Sequence, residues 1–326
     1  MKKNTALFKI IIASLALSHN LAFSEDSAPA EEQESNESTV PQRSTEYVIP
    51  QPQLARIEAL KGSLISKGLT HQVVELEANG TTFLTLHREA STSETQGCVV
   101  LLHSDNQHPN WPDAIAPLRN ALPQHGWCTL SIEIPDIINR MSITEIPSSA
   151  TAEEGVDSEA LPNEEDVFSR INAVIEKTKE DNAEQLILLG HKTGAAYALK
   201  YLAQEPTSAA GAVFIDMEVP SGVAQYDLAQ YIKQLPLPAL DYYLESQNRH
   251  PRFIAWRKQA SNQREEVQGE YILFSAIPDN GIGDDRTQKL IQRVRGFLKQ
   301  NTDQIDQRKN LPEFKKGLFY NSPVGS

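Results

Sequence analysis

The pentapeptide Gly190-His191-Lys192-Thr193-Gly194 stands between an apolar run, Leu186-Ile-Leu-Leu189, and a helical one, Ala195–Leu202. A strand turning into a helix through two glycines is the context in which G-x-S-x-G presents a nucleophilic serine. The glycines let the helix backbone approach the strand with no Cβ between them. At the centre, however, stands Lys192. A protonated lysine on a solvated turn attacks poorly unless desolvation or a cationic neighbour lowers its pKa. What remains is attraction for anions. A helix N-terminus offers unpaired N–H groups and the positive end of the macrodipole, to which Lys192 adds a charge and Thr193 a hydroxyl. The other reading is a vestigial turn from which Lys192 reaches solvent. A phosphate-binding loop is excluded, because Leu186 occupies the first glycine position and His191 the glycine before the lysine.

Other residues could share that crevice. Val99-Val-Leu-Leu-His103-Ser104 ends a strand, so His103 is a candidate to face Lys192 beside His191. Ser104 is a weak candidate for a serine–lysine dyad with Lys192, and Asp216 or Glu218, after a later strand, for an acid. The binding set is thus His103, Ser104, His191, Lys192 and Thr193. His108 and Trp111 either line the crevice or pack with Pro109 and Pro112 at the start of a helix. Asp284-Asp285 fits the N-cap and first turn of the last helix better than a ligand pair. The eight histidines show no metal-ligand spacing, and no cofactor is implied.

The elements that must position these groups follow from periodicity. Leu54, Ile57, Leu60, Leu64 and Ile65 predict an amphipathic helix over 52–67. Asn79-Gly80 between the β-rich runs 73–78 and 81–87 predicts a hairpin. Strands are expected at 98–103, 127–134, 185–189, 212–216, 239–244 and 270–274. Helices are expected at 114–122, 165–178, 194–204, 224–234, 251–260 and 285–299. A hairpin followed by strand–helix alternation argues for an α/β fold, a mostly parallel sheet with helices on both faces.

From the hairpin to the last helix this order resembles the α/β-hydrolase fold. The turn at His103-Ser104 resembles the His-Gly turn that helps form an oxyanion hole, and Gly190–Gly194 the nucleophile elbow. More narrowly, the chain is similar to an uncharacterised bacterial family of exported α/β-hydrolase-like proteins of unknown function. The residues that carry this are His103-Ser-Asp-Asn-Gln-His-Pro-Asn-Trp-Pro-Asp113, Ala116-Pro-Leu-Arg119 and Gly126-Trp-Cys-Thr-Leu-Ser-Ile132. The resemblance implies a degenerate triad. Lys192 fills the nucleophile slot, the acid slot falls near Gln247 and Asn248, and the histidine slot reads Asp279-Asn280. It also makes the strands beginning near Cys98 and Trp127 parallel neighbours, so Cys98 and Cys128 are either a disulfide or two buried thiols.

Charge and leader complete the expectations. Lys2, Lys3 and Lys9, the apolar core Ile10–Leu17 and Ala22-Phe23-Ser24 read as a signal peptide over 1–24. That apolar run is shorter than the roughly 18 to 20 residues of a bilayer span, and no later segment is a transmembrane candidate. Of the net charge of −13, residues 25–50 contribute seven acids against Arg43, and residues 145–166 eight acids and no base. Such Glu/Ser/Pro/Ala-rich stretches read as an acidic linker and an acidic low-complexity insertion near 140–165. Residues 51–310 form the domain and 311–326 a tail. Nucleic acid is not an expected partner. The expectation is a periplasmic or secreted binding or interaction module for a small anionic or acyl ligand, or for a protein partner. The alternative is an ester or acyl hydrolase with an unusual nucleophile.

Overall fold

The computed structural model describes residues 52–137, 160–180, 183–245, 250–265, 269–277 and 285–304. The expected signal peptide, acidic linker and tail lie outside them, as do most of the acidic insertion and the slots at Gln247, Asn248, Asp279 and Asn280.

The hairpin forms where Asn79-Gly80 predicts it, joining β1 (Val73–Ala78) to β2 (Thr81–Arg88). Asn79 and Gly80 have φ of 48° and 69°, the two positive values that match a tight turn to the strand twist. Six further strands follow: β3 (Gly97–Leu102), β4 (Trp127–Ile132), β5 (Leu186–His191), β6 (Gly211–Ile215), β7 (Ala239–Leu244) and β8 (Tyr271–Ala276). They make one eight-stranded sheet in the order β1-β2-β4-β3-β5-β6-β7-β8. β1 and β2, and β2 and β4, pair antiparallel. Every later pairing is parallel.

Every residue of β3, β4, β5 and β6 is buried, as strands covered on both faces must be. Side chains alternate between two cores. On one face Val100, Leu102, Leu188 and Phe214 pack against α3 (Glu164–Glu180), α4 (Thr193–Gln204), α5 (Gln225–Gln234) and α6 (Pro251–Ser261). On the other, Val99, Leu101, Leu189 and Val213 meet α2 (Ile115–Ala121) and α7 (Asp285–Asn301). The remaining helix, α1 (Pro52–Ser66), buries Ile57, Leu60 and Leu64 against the hairpin residues Leu84 and Leu86.

Boundaries differ where local chemistry overrides periodicity. The helix expected over 114–122 ends at Ala121, because Pro123 cannot donate to a continuing helix. A 3-10 turn, Leu122–His125, follows and closes on Gly126 at φ 87°. The strand expected to reach His103 stops at Leu102, and the one expected to reach Ile134 stops at Ile132. Cys98 and Cys128 are register partners across β3 and β4. Their Cα atoms lie 4.5 Å apart and their sulfurs are joined in a disulfide. Among the described residues no helix is long and apolar enough to cross a membrane.

Both ends of the acidic insertion are anchored. After β4, Glu133 accepts hydrogen bonds from Gln53 Nε2 (2.7 Å) and Leu84 N (3.0 Å), and Asp136 pairs with Arg56 at 2.5 Å. Ile137 N donates to Asp105 Oδ1 at 2.7 Å. Asn163, just before α3, donates to the Asp136 carbonyl at 3.0 Å, so the two roots are tied together.

Candidate functional site

Gly190 is the last residue but one of β5 and Gly194 the second of α4, and both are sterically required. A Cβ on Gly190 would run into the Ala195 backbone, and one on Gly194 into the carbonyls of Leu102 and His103. Between them Lys192 takes φ 52° and ψ −117°, a conformation that strains an L side chain. Three backbone bonds hold it there. Lys192 N donates to Ile215 O at 2.9 Å, and Lys192 O accepts from Ala195 N at 3.0 Å and Glu218 N at 3.2 Å. The ammonium is 3.3 Å from Glu218 Oε1, with the two side chains 30% and 51% exposed. Lys192 thus stands at the apex of the turn, partly screened by a carboxylate.

The turn after β3 lies against this apex but its polar groups are engaged internally. Ser104 N donates to Gln107 Oε1 at 3.2 Å. Asp105 N donates to Thr193 Oγ1 at 2.8 Å, and the same hydroxyl lies 3.1 Å from Ser104 Oγ. His103 is fully buried. Its Nδ1 is 2.7 Å from the Ser104 carbonyl, and its Nε2 accepts from Ile134 N at 3.0 Å. The carbonyl assigns the proton to Nδ1, and burial pushes the pKa down to about 3. All three were expected to face a ligand; instead Ser104 and the Thr193 hydroxyl bind the two turns to each other, and His103 ties its own turn to the segment after β4. His103 turns away because the strand ends one residue before it.

A crevice of about 330 Å³ does open beside Lys192. Its polar walls include Asp113, His191, Lys192, Asp216, Tyr242 and Arg286. His191 is 2% exposed, and its Nδ1 has no hydrogen-bond partner among the described residues. Burial, then the Lys192 charge, lowers its pKa to about 4 against the opposing pull of Asp113, so the imidazole is neutral near pH 7. Asp216, at φ 47°, accepts from Leu244 N at 2.7 Å. Burial raises its pKa, while that backbone bond and Lys192 draw it down. The crevice thus offers two cations, two carboxylates and one neutral imidazole.

Of the residues expected at the site, His191, Lys192 and Asp216 are brought together. Trp111 meets His108 edge-on, ring centroids 5.3 Å apart, and its Nε1 donates to Asp113 Oδ2 at 3.2 Å. This pair packs the start of α2, and the loop reaches the crevice through Pro112, Asp113 and Ala114 instead. Sequence reasoning missed Gln107, Asp113, Tyr242 and Arg286. Only Gln107 and Asp113 lay in a stretch already singled out, the string following His103.

A family model described as a protein of unknown function, DUF3530, matches residues 6–300. No curated protein matches the sequence. Among solved structures the chain is similar to Est1E from Butyrivibrio proteoclasticus, with a TM-score of 0.51 and 12% identity over 71% of this chain and 98% of that one. It is also similar to an esterase of Pyrococcus furiosus, with a TM-score of 0.51 and 12% identity over 70% of this chain and 90% of that one. At such identity the likeness establishes the α/β-hydrolase-like fold.

Proposed function

The chain belongs to the DUF3530 family of proteins of unknown function, and from that premise we propose that it is a binding module that keeps the α/β-hydrolase frame without ester-cleaving chemistry. One observation carries the reading. The N–H of Ser104, in the turn where the resemblance places an oxyanion donor, is spent on Gln107, and that of the next residue, Asp105, on Thr193. Acyl transfer draws much of its rate from donors held open for the developing oxyanion; donors already bonded to side chains do not serve it. The triad slots in sequence agree, with Lys192 for serine and Asn280 for histidine.

The crevice at Lys192 is the binding site in this reading, its ligand a small molecule with an anionic group. Lys192 and Arg286 meet the anion, and the unpartnered His191 Nδ1 accepts a hydrogen bond from a ligand hydroxyl or amine. The reading includes export to the periplasm or beyond, supported by the leader-like first 24 residues and by the disulfide, which suits an oxidising compartment.

Two measurements on the purified chain test it. Short-chain nitrophenyl esters and a fluorophosphonate probe should give neither turnover nor labelling, and labelling abolished by Ser104→Ala would overturn the reading in favour of a hydrolase. Small carboxylates and phosphate esters should raise Tm, and Lys192→Glu should remove the rise. Equal shifts in both proteins would place any binding elsewhere.

A further inference from the structure

A second cavity, of about 470 Å³, runs between the β7–β8 edge of the sheet and α7. It shares Tyr242, Leu244 and Arg286 with the crevice but not His191 or Lys192. On the sheet side, register pairs step along it: Leu240 with Ile272, Tyr242 with Phe274, Leu244 with Ala276. On the helix side, Arg286, Lys289, Arg293, Gly296 and Gln300 recur every three or four residues, which puts them on one face of α7.

The two ends differ in chemistry. Arg286 lines the crevice with His191 and Leu244, at the C-terminal ends of β5 and β7, while Asp303, just past α7, donates its N–H to Gln185 Oε1 before β5, so α7 runs antiparallel to the strands and brings its first turn to the C-terminal edge of the sheet. Arg293 follows, its guanidinium carbon 3.8 Å from the Phe274 ring centroid, and Phe274 stacks on Tyr242 at 5.7 Å. Deeper down the walls are Leu240, Ile272 and Phe297. None of the described residues lining the slot is a carboxylate. At that apolar end stands Gly296, where an added Cβ would meet nothing within 4 Å. Glycine inside a helix costs up to about 1 kcal/mol relative to alanine, and here it leaves open the space that a side chain would fill.

We propose that this slot binds a single-chain fatty carboxylate, its head paired by the cations at the C-terminal edge of the sheet and its tail lying along Leu240, Ile272 and Phe297 past Gly296. The shape favours a linear chain over a compact ring system, since the helical face from Arg286 to Gln300 spans roughly 21 Å at 1.5 Å per residue. The charge favours an anion: three cations line one end, and Leu240, Ile272 and Phe297, with the neutral Gln300, the other.

The test is calorimetric titration of the purified full chain with sodium dodecanoate below its micelle concentration, with dodecyltrimethylammonium as the cationic control. Saturable one-to-one binding of dodecanoate alone is expected. Gly296→Leu, which fills the slot, should abolish binding while Tm stays level or rises. Arg293→Gln should weaken it about tenfold, or about 1.4 kcal/mol. Acetate, which has the same head without a tail, should not displace dodecanoate, which separates this site from the crevice. Absence of saturable binding, equal binding of the cationic control, or wild-type affinity in Gly296→Leu would overturn the proposal. A lower Tm in Gly296→Leu would overturn it too, since the space at that position would then not be open.

Discussion

Lys192 keeps a strained backbone for which its own side chain has no evident need, since φ 52° and ψ −117° are imposed by its neighbours. Glycine adopts that conformation without strain. Relief of about 1–3 kcal/mol, less the entropy of glycine in the unfolded chain and an exposed ion pair of small value, leaves Lys192→Gly more stable by about 1 kcal/mol. Lys192→Ala, still strained, should match the wild type, with denaturant midpoints as the measure. The buried histidines supply a second expectation. His103 and His191 are held near 3 and 4 in the folded chain, against about 6.5 unfolded. Below pH 6.5 the unfolded state therefore binds more protons, and stability falls with acidification by up to about 1.4 kcal/mol per unit for each histidine. Asp216 and Asp241, whose pKa values burial raises, act in the opposite sense. In His103→Gln the side chain keeps one amide donor and one acceptor for the Ser104 carbonyl and Ile134 N but no longer titrates. His108 and His125, whose pKa values burial also lowers, keep contributing, so urea midpoints measured from pH 6.5 to 5 should show a shallower acid slope than the wild type but not a flat one.

At the scale of elements, the disulfide joins neighbouring parallel strands and closes a separation of 30 residues. The chain-entropy model gives such a loop about 3–4 kcal/mol. Denaturation with and without reductant should differ by about that amount, and a Cys98→Ala, Cys128→Ala double variant should behave like the reduced protein. With both cysteines 5% exposed or less, reduction should wait for unfolding. Among the described residues every strand and α-helix, though none of the 3-10 turns, was legible in the sequence, because apolar runs, glycine turns and Asn79-Gly80 report backbone preferences acting over a few residues. The site was legible only at its centre. Gly190–Gly194 announces a turn, but the bond from Asp105 to Thr193 joins residues 88 apart, and no local signal foretells that a threonine hydroxyl will occupy a neighbouring loop's donor. His103 misleads in the same way, because one residue of strand length decides whether its ring faces a ligand or the backbone. Arg286 reaches the crevice only because α7 packs over the sheet edge.

For the whole molecule, the sheet and its two helical layers are complete on either side of the acidic insertion. Asp136 and Asn163 hold each other, Arg56 and Asp105 hold the leading root, and Lys200 pairs with Glu164 behind the trailing one at 2.5 Å. Replacing residues 138–159 with a short Gly/Ser linker should therefore leave the circular dichroism spectrum unchanged and Tm within a few degrees, since loop closure depends only weakly on length. A large loss of Tm would show that the segment contributes to the core. The tied roots have an evolutionary corollary as well. A stretch of chain whose two ends are clasped together is a free parameter of the architecture. Relatives can lengthen it, shorten it or exchange its composition while the two roots stay clasped, so indels across the family should gather there. Adaptation to new surroundings would then proceed in that stretch while the elbow, the sealed turn and the slot beneath α7 stay as they are.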